Sequence, residues 1–299
     1  MTRIVFAGTP DFALASLQAL VQSGRTPVAV LTQPDRPAGR GKKLTASPVK
    51  RYAEQLEIPV LQPTTLRDAD AAAEFEALRP DVMVVAAYGL ILPQNVLDIP
   101  THGCLNVHAS SLPRWRGAAP IQASILANDA TTGVSLMSMT AGLDCGPVFV
   151  IEELAIGAEE TAGELHDRLA ELGGAMLVKH LDQILDGDLT AMEQDESLAT
   201  YAPKIAKQDA EIDWSLPADE LVRRVRAYNP FPGSFFFDND TRVKVWRATA
   251  VDGSAEPGTV LQDDRKGVVV ACGAGALRLD ELQLPGKRRV AARDFTGQA

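Results

Sequence analysis

The chain has 299 residues, 46% hydrophobic and 23% charged, with a formal net charge of −10. That balance excludes a disordered, fibrous or disulfide-stapled chain, and the length exceeds what one core usually fills, so two domains are expected. No apolar run reaches the roughly 18 residues a bilayer span needs, so no membrane partner is expected, and a start that enters a strand-like segment directly rather than a signal peptide predicts a cytoplasmic protein.

Apolar runs rich in Val and Ile at residues 3–7, 28–32, 82–87, 104–108 and 134–139 predict strands. Helical patterns lie between them at 11–22, 48–56, 69–78 and 118–128, the first opened by Thr9-Pro10-Asp11. Strands alternating with helices predict an α/β, Rossmann-like domain with a mostly parallel sheet covered on both faces, closed by a long amphipathic helix at 162–185. This first domain is placed at 1–189. Residues 190–207 have weak periodicity and contain Pro203, as a linker does. From 208 to 299 the texture changes to one helix at 218–228 and strands at 234–237, 243–251, 258–261, 267–272 and 276–282, which predicts a small OB-like β-barrel domain. Cys104, Cys145 and Cys272 stand singly, without the spacing of a zinc or redox motif, and read as reduced thiols.

The first strand-to-helix turn, Gly8-Thr9-Pro10-Asp11-Phe12, occupies the place where dinucleotide-binding folds keep G-x-G-x-x-G. That motif is missing and Pro10 removes a backbone donor, which disfavours a nicotinamide enzyme. Gly8 reads as a tight turn, or as a ligand-touching one because it ends a central strand.

The segment from Gly103 to Gly117 is the most informative. Strand alternation points Asn106 and His108 the same way at the carboxyl end of the 104–108 strand. An amide N–H₂ donates to developing negative charge, and an imidazole handles a proton near neutral pH, so the pair suits acyl transfer. Singly, each also reads as a satisfied structural residue. Beyond the 134–139 strand, Ala141-Gly142-Leu143-Asp144-Cys145-Gly146-Pro147 offers a Gly-flanked carboxylate. Asp144 reads either as an Asx turn or as a group that holds His108 in one tautomer and accepts a proton from an attacking amine.

Basic residues concentrate between Pro34 and Arg51, where Arg36, Arg40, Lys42, Lys43, Lys50 and Arg51 face a single acid, Asp35. The run Arg36-Pro37-Ala38-Gly39-Arg40-Gly41-Lys42-Lys43-Leu44 reads as a flexible loop for phosphates and bases, or as a solvated charge run. In the second domain Arg223, Arg224, Arg226, Arg242, Lys244 and Arg247 are available to a nucleic acid if they cluster.

The pattern Gly103-x-x-Asn106-x-His108-x-Ser110-x-Leu112-Pro113-x-x-Arg116-Gly117, followed by Leu143-Asp144-x-Gly146, resembles the folate-dependent formyltransferase family. The resemblance implies Asn106 as oxyanion donor, His108 as the polarising or proton-handling group and Asp144 as its partner, with no metal and no covalent enzyme intermediate. It also implies folate contact along Ser110, Ser111, Leu112 and Pro113 and at Tyr88 and Gly89, within Ala86-Ala87-Tyr88-Gly89. Ser111 stands where related sequences carry Leu, which affects an apolar contact and leaves the chemistry intact.

The basic loop, Lys204-Ile205-Ala206-Lys207, Ile212-Asp213-Trp214 and Asn229-Pro230-Phe231-Pro232-Gly233 are similar to the tRNA-formylating branch of that family. The implied reaction transfers a formyl group from 10-formyltetrahydrofolate to the amino group of methionyl initiator tRNA, supporting translation initiation, with the protein acting as a monomer. Arg36, Arg40, Lys42 and Lys43 are then expected at the acceptor end of the tRNA, and Lys204 and Lys207 along its backbone. The alternative is a formyltransferase for a small amine such as a nucleotide-linked amino sugar.

Overall fold

The computed structural model describes residues 2–38, 41, 43–264 and 267–294. It opens with β1 (Ile4–Gly8), buried throughout, and α1 (Asp11–Gln22), with Pro10 at its N-cap. A Cβ at Gly8 would lie 2.5 Å from Ala13 Cβ and 2.9 Å from the Ala86 carbonyl, so this glycine serves the tight turn. Next come β2 (Ala29–Leu31) and two short strands, β3 (Arg36–Ala38) and β4 (Lys43–Thr45). They pair antiparallel, Pro37 opposite Leu44, so the basic segment expected as a loop is a hairpin in its described residues. Lys50 holds its base, donating to both Asp35 oxygens and to Gln62 Oε1.

The chain continues through α2 (Pro48–Gln55), capped by Ser47, then β5 (Val60–Leu61), α3 (Ala69–Ala77), β6 (Val82–Ala86), α4 (Gln94–Leu97) and β7 (Cys104–His108). After β8 (Arg116–Gly117) and α5 (Pro120–Leu126) come β9 (Thr131–Ser138), β10 (Val148–Ala155) and the long α6 (Ala162–Leu185). Seven of these strands form one sheet, ordered β10-β9-β7-β6-β1-β2-β5. The pairs β1/β2, β1/β6, β2/β5 and β6/β7 are parallel, and β7/β9 is antiparallel at one edge. This is the Rossmann-like, mostly parallel sheet expected. Chain order runs outward from β1 to β2 and β5 and then crosses to β6 on its other side. That reversal falls between β1 and β6, and the carboxyl ends of strands at such a reversal are where open α/β sheets take ligands.

Val5, Ala7, Met83 and Val85 pack on one face with Leu66, Phe75 and Val96, the latter two from α3 and α4. On the other face Gly173 of α6 lies directly over Val107 and Val134, beside Phe12 of α1. Each fully buried Phe, Leu or Val contributes about 1.5–3 kcal/mol by leaving water.

By contacts the chain divides into two compact units, residues 1–117, 132–154 and 166–201 in the first and 118–131, 155–165 and 202–299 in the second. The helix expected at 118–128 forms as α5 and packs against α7 (Ala218–Ala227), both within the second unit. The segment expected as a linker includes β11 (Tyr201–Ala202), which pairs with β8. The second unit carries β12 (Phe235–Asp238), β13 (Thr241–Val251), β14 (Val260–Asp264), β15 (Gly267–Ala271), β16 (Ala276–Gln283) and β17 (Val290–Ala291). They form one antiparallel sheet, ordered β12-β13-β16-β15-β14 with β17 on β16. Bulges in β13 and β14 curl it into the OB-like form expected. Leu221 and Val225 of α7 fill its concave side with Val243, Val245, Leu277 and Leu279. No helix among the described residues is long and apolar enough to cross a membrane.

Candidate active site

β7 ends at the carboxyl edge of the parallel sheet, beside β6, and its sequence Cys-Leu-Asn-Val-His explains the site locally. Leu105 and Val107 go to one face, and Asn106 and His108, each 8% exposed, go to the other. Neighbouring strands fix them, with Asn106 opposite Val85 of β6 and Met137 of β9, and His108 opposite Ser135. His108 Nε2 donates to the Trp115 carbonyl at 3.1 Å. A carbonyl only accepts, so the backbone of Trp115 sets the tautomer and Nδ1 is the nitrogen left facing Asp144.

The structure brings Asp144 to His108, with Oδ2 3.8 Å from Nδ1. The carboxylate is 17% exposed and the imidazole 8%. Protonating Nδ1 would turn this approach into an ion pair in a poorly solvated place. The same Oδ2 accepts from the Gly117 amide at 2.8 Å. Asp144 has φ +48°, the left-handed region, so its loop is held by contacts elsewhere. One lies at Gly146, where a Cβ would sit 1.9 Å from the Ser138 carbonyl and only glycine lets the loop fold back onto β9.

The 110–117 turn is built from inside. Ser110 is fully buried, its hydroxyl donating to the Arg114 carbonyl at 2.6 Å. The Ser135 hydroxyl donates to the Ser110 carbonyl and accepts from the Leu112 amide. Leu112 packs on Met137 and Val148. The Ser111 hydroxyl oxygen is buried with no hydrogen-bond partner among the described residues. The Pro113 carbonyl accepts from the Thr200 amide, and the Trp115 amide donates to Thr200 Oγ1.

Just past the carboxyl end of β6, Tyr88 is buried and Gly89 has φ +81°. The Tyr88 carbonyl accepts from Thr9 Oγ1 and Gln33 Nε2, and Gln33 Oε1 accepts from Arg36, which ties the basic hairpin to this wall. Burial pushes the Tyr88 phenol well above its usual range, so it stays protonated. Lys43 is exposed on β4. Arg40 and Lys42 lie outside the described residues.

The sequence reading missed the residues that hold these loops. Arg116 is 1% exposed, and its guanidinium donates to both Glu196 oxygens and to Gln194 Oε1. The Glu196 bond raises the guanidinium's affinity for its proton and draws the Glu196 carboxyl below the usual carboxylate range. Gln194 and Glu196 belong to the expected linker, and no local pattern marked them. A signal did exist in Arg116 itself, because an arginine between Trp and Gly at a buried turn needs an acceptor from somewhere.

In the second unit, cations gather on aromatic rings. The Arg242 guanidinium lies 3.6 Å from the Phe235 ring centroid, while Lys244 and Arg289 lie 4.8 and 3.6 Å from that of Trp246. Burial first, then Arg242, Arg289 and Lys207, lower the Lys244 pKa below the ordinary lysine value. No carboxylate among the described residues pairs with Arg242, Lys244 or Arg289. Of the other expected cations, Lys204 and Lys207 are exposed, Arg224 is engaged by Glu220, and Arg226 donates to the Gly157 and Glu160 carbonyls.

Comparison with known proteins identifies the family. Residues 2–181 match the formyl transferase family and residues 204–299 the formyl transferase C-terminal domain. A methionyl-tRNA formyltransferase of Marinobacter nauticus is 52% identical over 98% of this chain and 95% of its own length. Another, of Pseudomonas savastanoi pv. phaseolicola, is 56% identical over 95% of this chain and 90% of its own. Among solved structures, an N-formyltransferase from Helicobacter canadensis, in complex with folinic acid and dTDP-3-aminofucose, shares the fold at TM-score 0.68 and 18% identity, covering 93% of this chain and 99% of that one. HypX from Aquifex aeolicus, in complex with tetrahydrofolic acid, matches at TM-score 0.65 and 18% identity over 99% of this chain, which spans about half of HypX, 47%. A mostly parallel sheet whose β7 carries Asn106 and His108 on one face, with His108 beside Asp144, is joined in sequence to a curled antiparallel sheet, and the family matches along both parts place this chain in the formyltransferase family.

Proposed function

We propose that the protein transfers a formyl group from 10-formyltetrahydrofolate to the free amino group of methionyl initiator tRNA, in the cytoplasm and as a monomer. The observation that carries this is identity of 52% and 56%, running through nearly the whole chain, with two proteins named for that reaction. Residues 1–189 supply catalysis, 208–299 hold the tRNA, and 190–207 connect them.

The chemistry follows from the residues. A deprotonated amine is a competent nucleophile, so the protein needs to orient it, stabilise charge and move protons. As nitrogen bonds to the formyl carbon, Asn106 donates its amide N–H to the oxygen that becomes an oxyanion. The amine's proton passes to the His108–Asp144 pair. The bond from formyl carbon to folate N10 then breaks, and N10 takes up a proton. Ser110, Ser111, Leu112 and Pro113 meet the folate from one side and Tyr88 and Gly89 from the other. Arg36, Arg40, Lys42 and Lys43 meet the acceptor end of the tRNA, and Lys204 and Lys207 its backbone, which Arg242, Lys244 and Arg289 extend.

The test is direct. The protein is mixed with 10-formyltetrahydrofolate and methionyl initiator tRNA, and formylmethionine on the tRNA is the expected product. Formylation of a dTDP-linked amino sugar with none on the tRNA would overturn the reading.

A further inference from the structure

Gln194 lies fifty residues from Asp144 in sequence, yet its Nε2 donates to the Asp144 carbonyl at 2.8 Å and to the Gly146 carbonyl at 2.7 Å. Its Oε1 accepts from Arg116 Nε at 3.0 Å and Nη2 at 2.9 Å. The amide is therefore used at both ends, and its orientation is fixed by chemistry: two carbonyls require the NH₂ group and the guanidinium requires the oxygen. Glu196 completes the set on the far side of Arg116, its oxygens 2.9 Å from Nη1 and 2.7 Å from Nη2.

Asp144 needs such support. Its φ of +48° costs free energy that its own side chain does not recover, and its carboxylate approaches His108 to 3.8 Å without a direct hydrogen bond. The Gly117 amide holds the carboxylate in front, and Gln194 holds the peptide behind it. Arg116, next to Gly117 in sequence, couples the two, so the loop that holds the carboxylate and the loop that carries it answer to one glutamine.

We infer that Gln194 is a positioning residue for Asp144, setting where the carboxylate stands against His108; this rests on the reading of Asp144 as a catalytic carboxylate. Losing such positioning leaves the substrate sites intact and displaces the reacting group, so it lowers kcat and spares KM.

The experiment is steady-state formylation of methionyl initiator tRNA by the full chain and by Gln194→Ala, Gln194→Met and Gln194→Glu, each also made with Asp144→Asn. Gln194→Met keeps the volume without the polar atoms. Gln194→Glu keeps an acceptor for Arg116 and loses both donors. All three are expected to lower kcat by about tenfold to a hundredfold, the scale of a displaced catalytic group, with KM for folate and tRNA within about twofold. With Asp144→Asn already present, the same changes are expected to add little, because the group they position is gone. Full multiplication of the two losses, a rise in KM at unchanged kcat, or Gln194→Glu at the full rate would each overturn the inference. Should one variant lose its thermal transition, the other two carry the comparison. A full chain that formylates no tRNA would instead sink the functional reading, and an Asp144→Asn variant at the full rate would sink the catalytic role of Asp144.

Discussion

Arg116 opens β8 and Arg289 directly precedes β17, but their surroundings differ in kind. Arg116 is buried among acceptors, with Glu196 and Gln194 taking its N–H groups. Arg289 is exposed and stacks on Trp246, in a group with Lys244 and Arg242 that no described carboxylate neutralises. A charge closed off by its own chain is fixed in place and serves geometry. A cluster left open repels itself, which adds to the burial that lowers the Lys244 pKa, and gains most when a polyanion arrives.

The sharpest separation of the two regions is expected from rates. His108→Ala is expected to lower kcat by about a hundredfold to ten-thousandfold and Asn106→Ala by about a hundredfold to a thousandfold, with tRNA affinity, measured by filter binding, unchanged. A comparable loss of affinity would break the contrast. Stability comes next. Arg116→Ala strips acceptors of a buried partner and is expected to lower unfolding free energy by about 2–3 kcal/mol in urea melts, while Arg289→Ala stays within about 0.5 kcal/mol.

The open cluster was the harder one to read from sequence. Arg289 sits in Lys287-Arg288-Arg289 after a Pro-Gly turn, which looks like a solvated charge run, and only the return of β17 onto β16 brings it to Trp246. By contrast, Asn106 and His108 were legible because strand alternation is a local rule that survives folding. The elements of the parallel sheet were legible for the same reason. The placement of α5 was not, since its apolar face would suit either unit, nor were the roles of Gln194, Glu196 and Thr200, whose partners lie 48 to 87 residues away.

Salt offers the next test. Replacing Arg242, Lys244 and Arg289 by Ala, one after another, is expected to reduce the slope of log affinity against log salt by about 1 each, while kcat at saturating tRNA holds. An unchanged slope would show that the cluster faces no phosphate. The smallest effect concerns protons. Burial and neighbouring cations lower the Lys244 pKa in the free protein, and bound phosphates should raise it. Because the complex then holds the higher pKa, binding takes up protons in the alkaline range, and affinity should fall as pH rises through that value. Titrating the Lys244 ammonium by NMR with and without tRNA measures the difference, and equal midpoints would count against the contact.

The second unit is assembled from three stretches of chain, 118–131, 155–165 and 202–299. A ribosome delivers the first two well before the last, so α5 emerges with its buried side chains, Ile121 and Ile125 among them, still lacking the α7 surface that will shelter them. Single-cut fragments at the 190–207 segment would inherit the same problem: the upstream piece would carry an orphaned greasy helix and the downstream piece an α7 stripped of its packing partner. Swapping such halves between relatives is therefore expected to demand that residues 118–131 and 155–165 travel with the carboxyl-terminal portion.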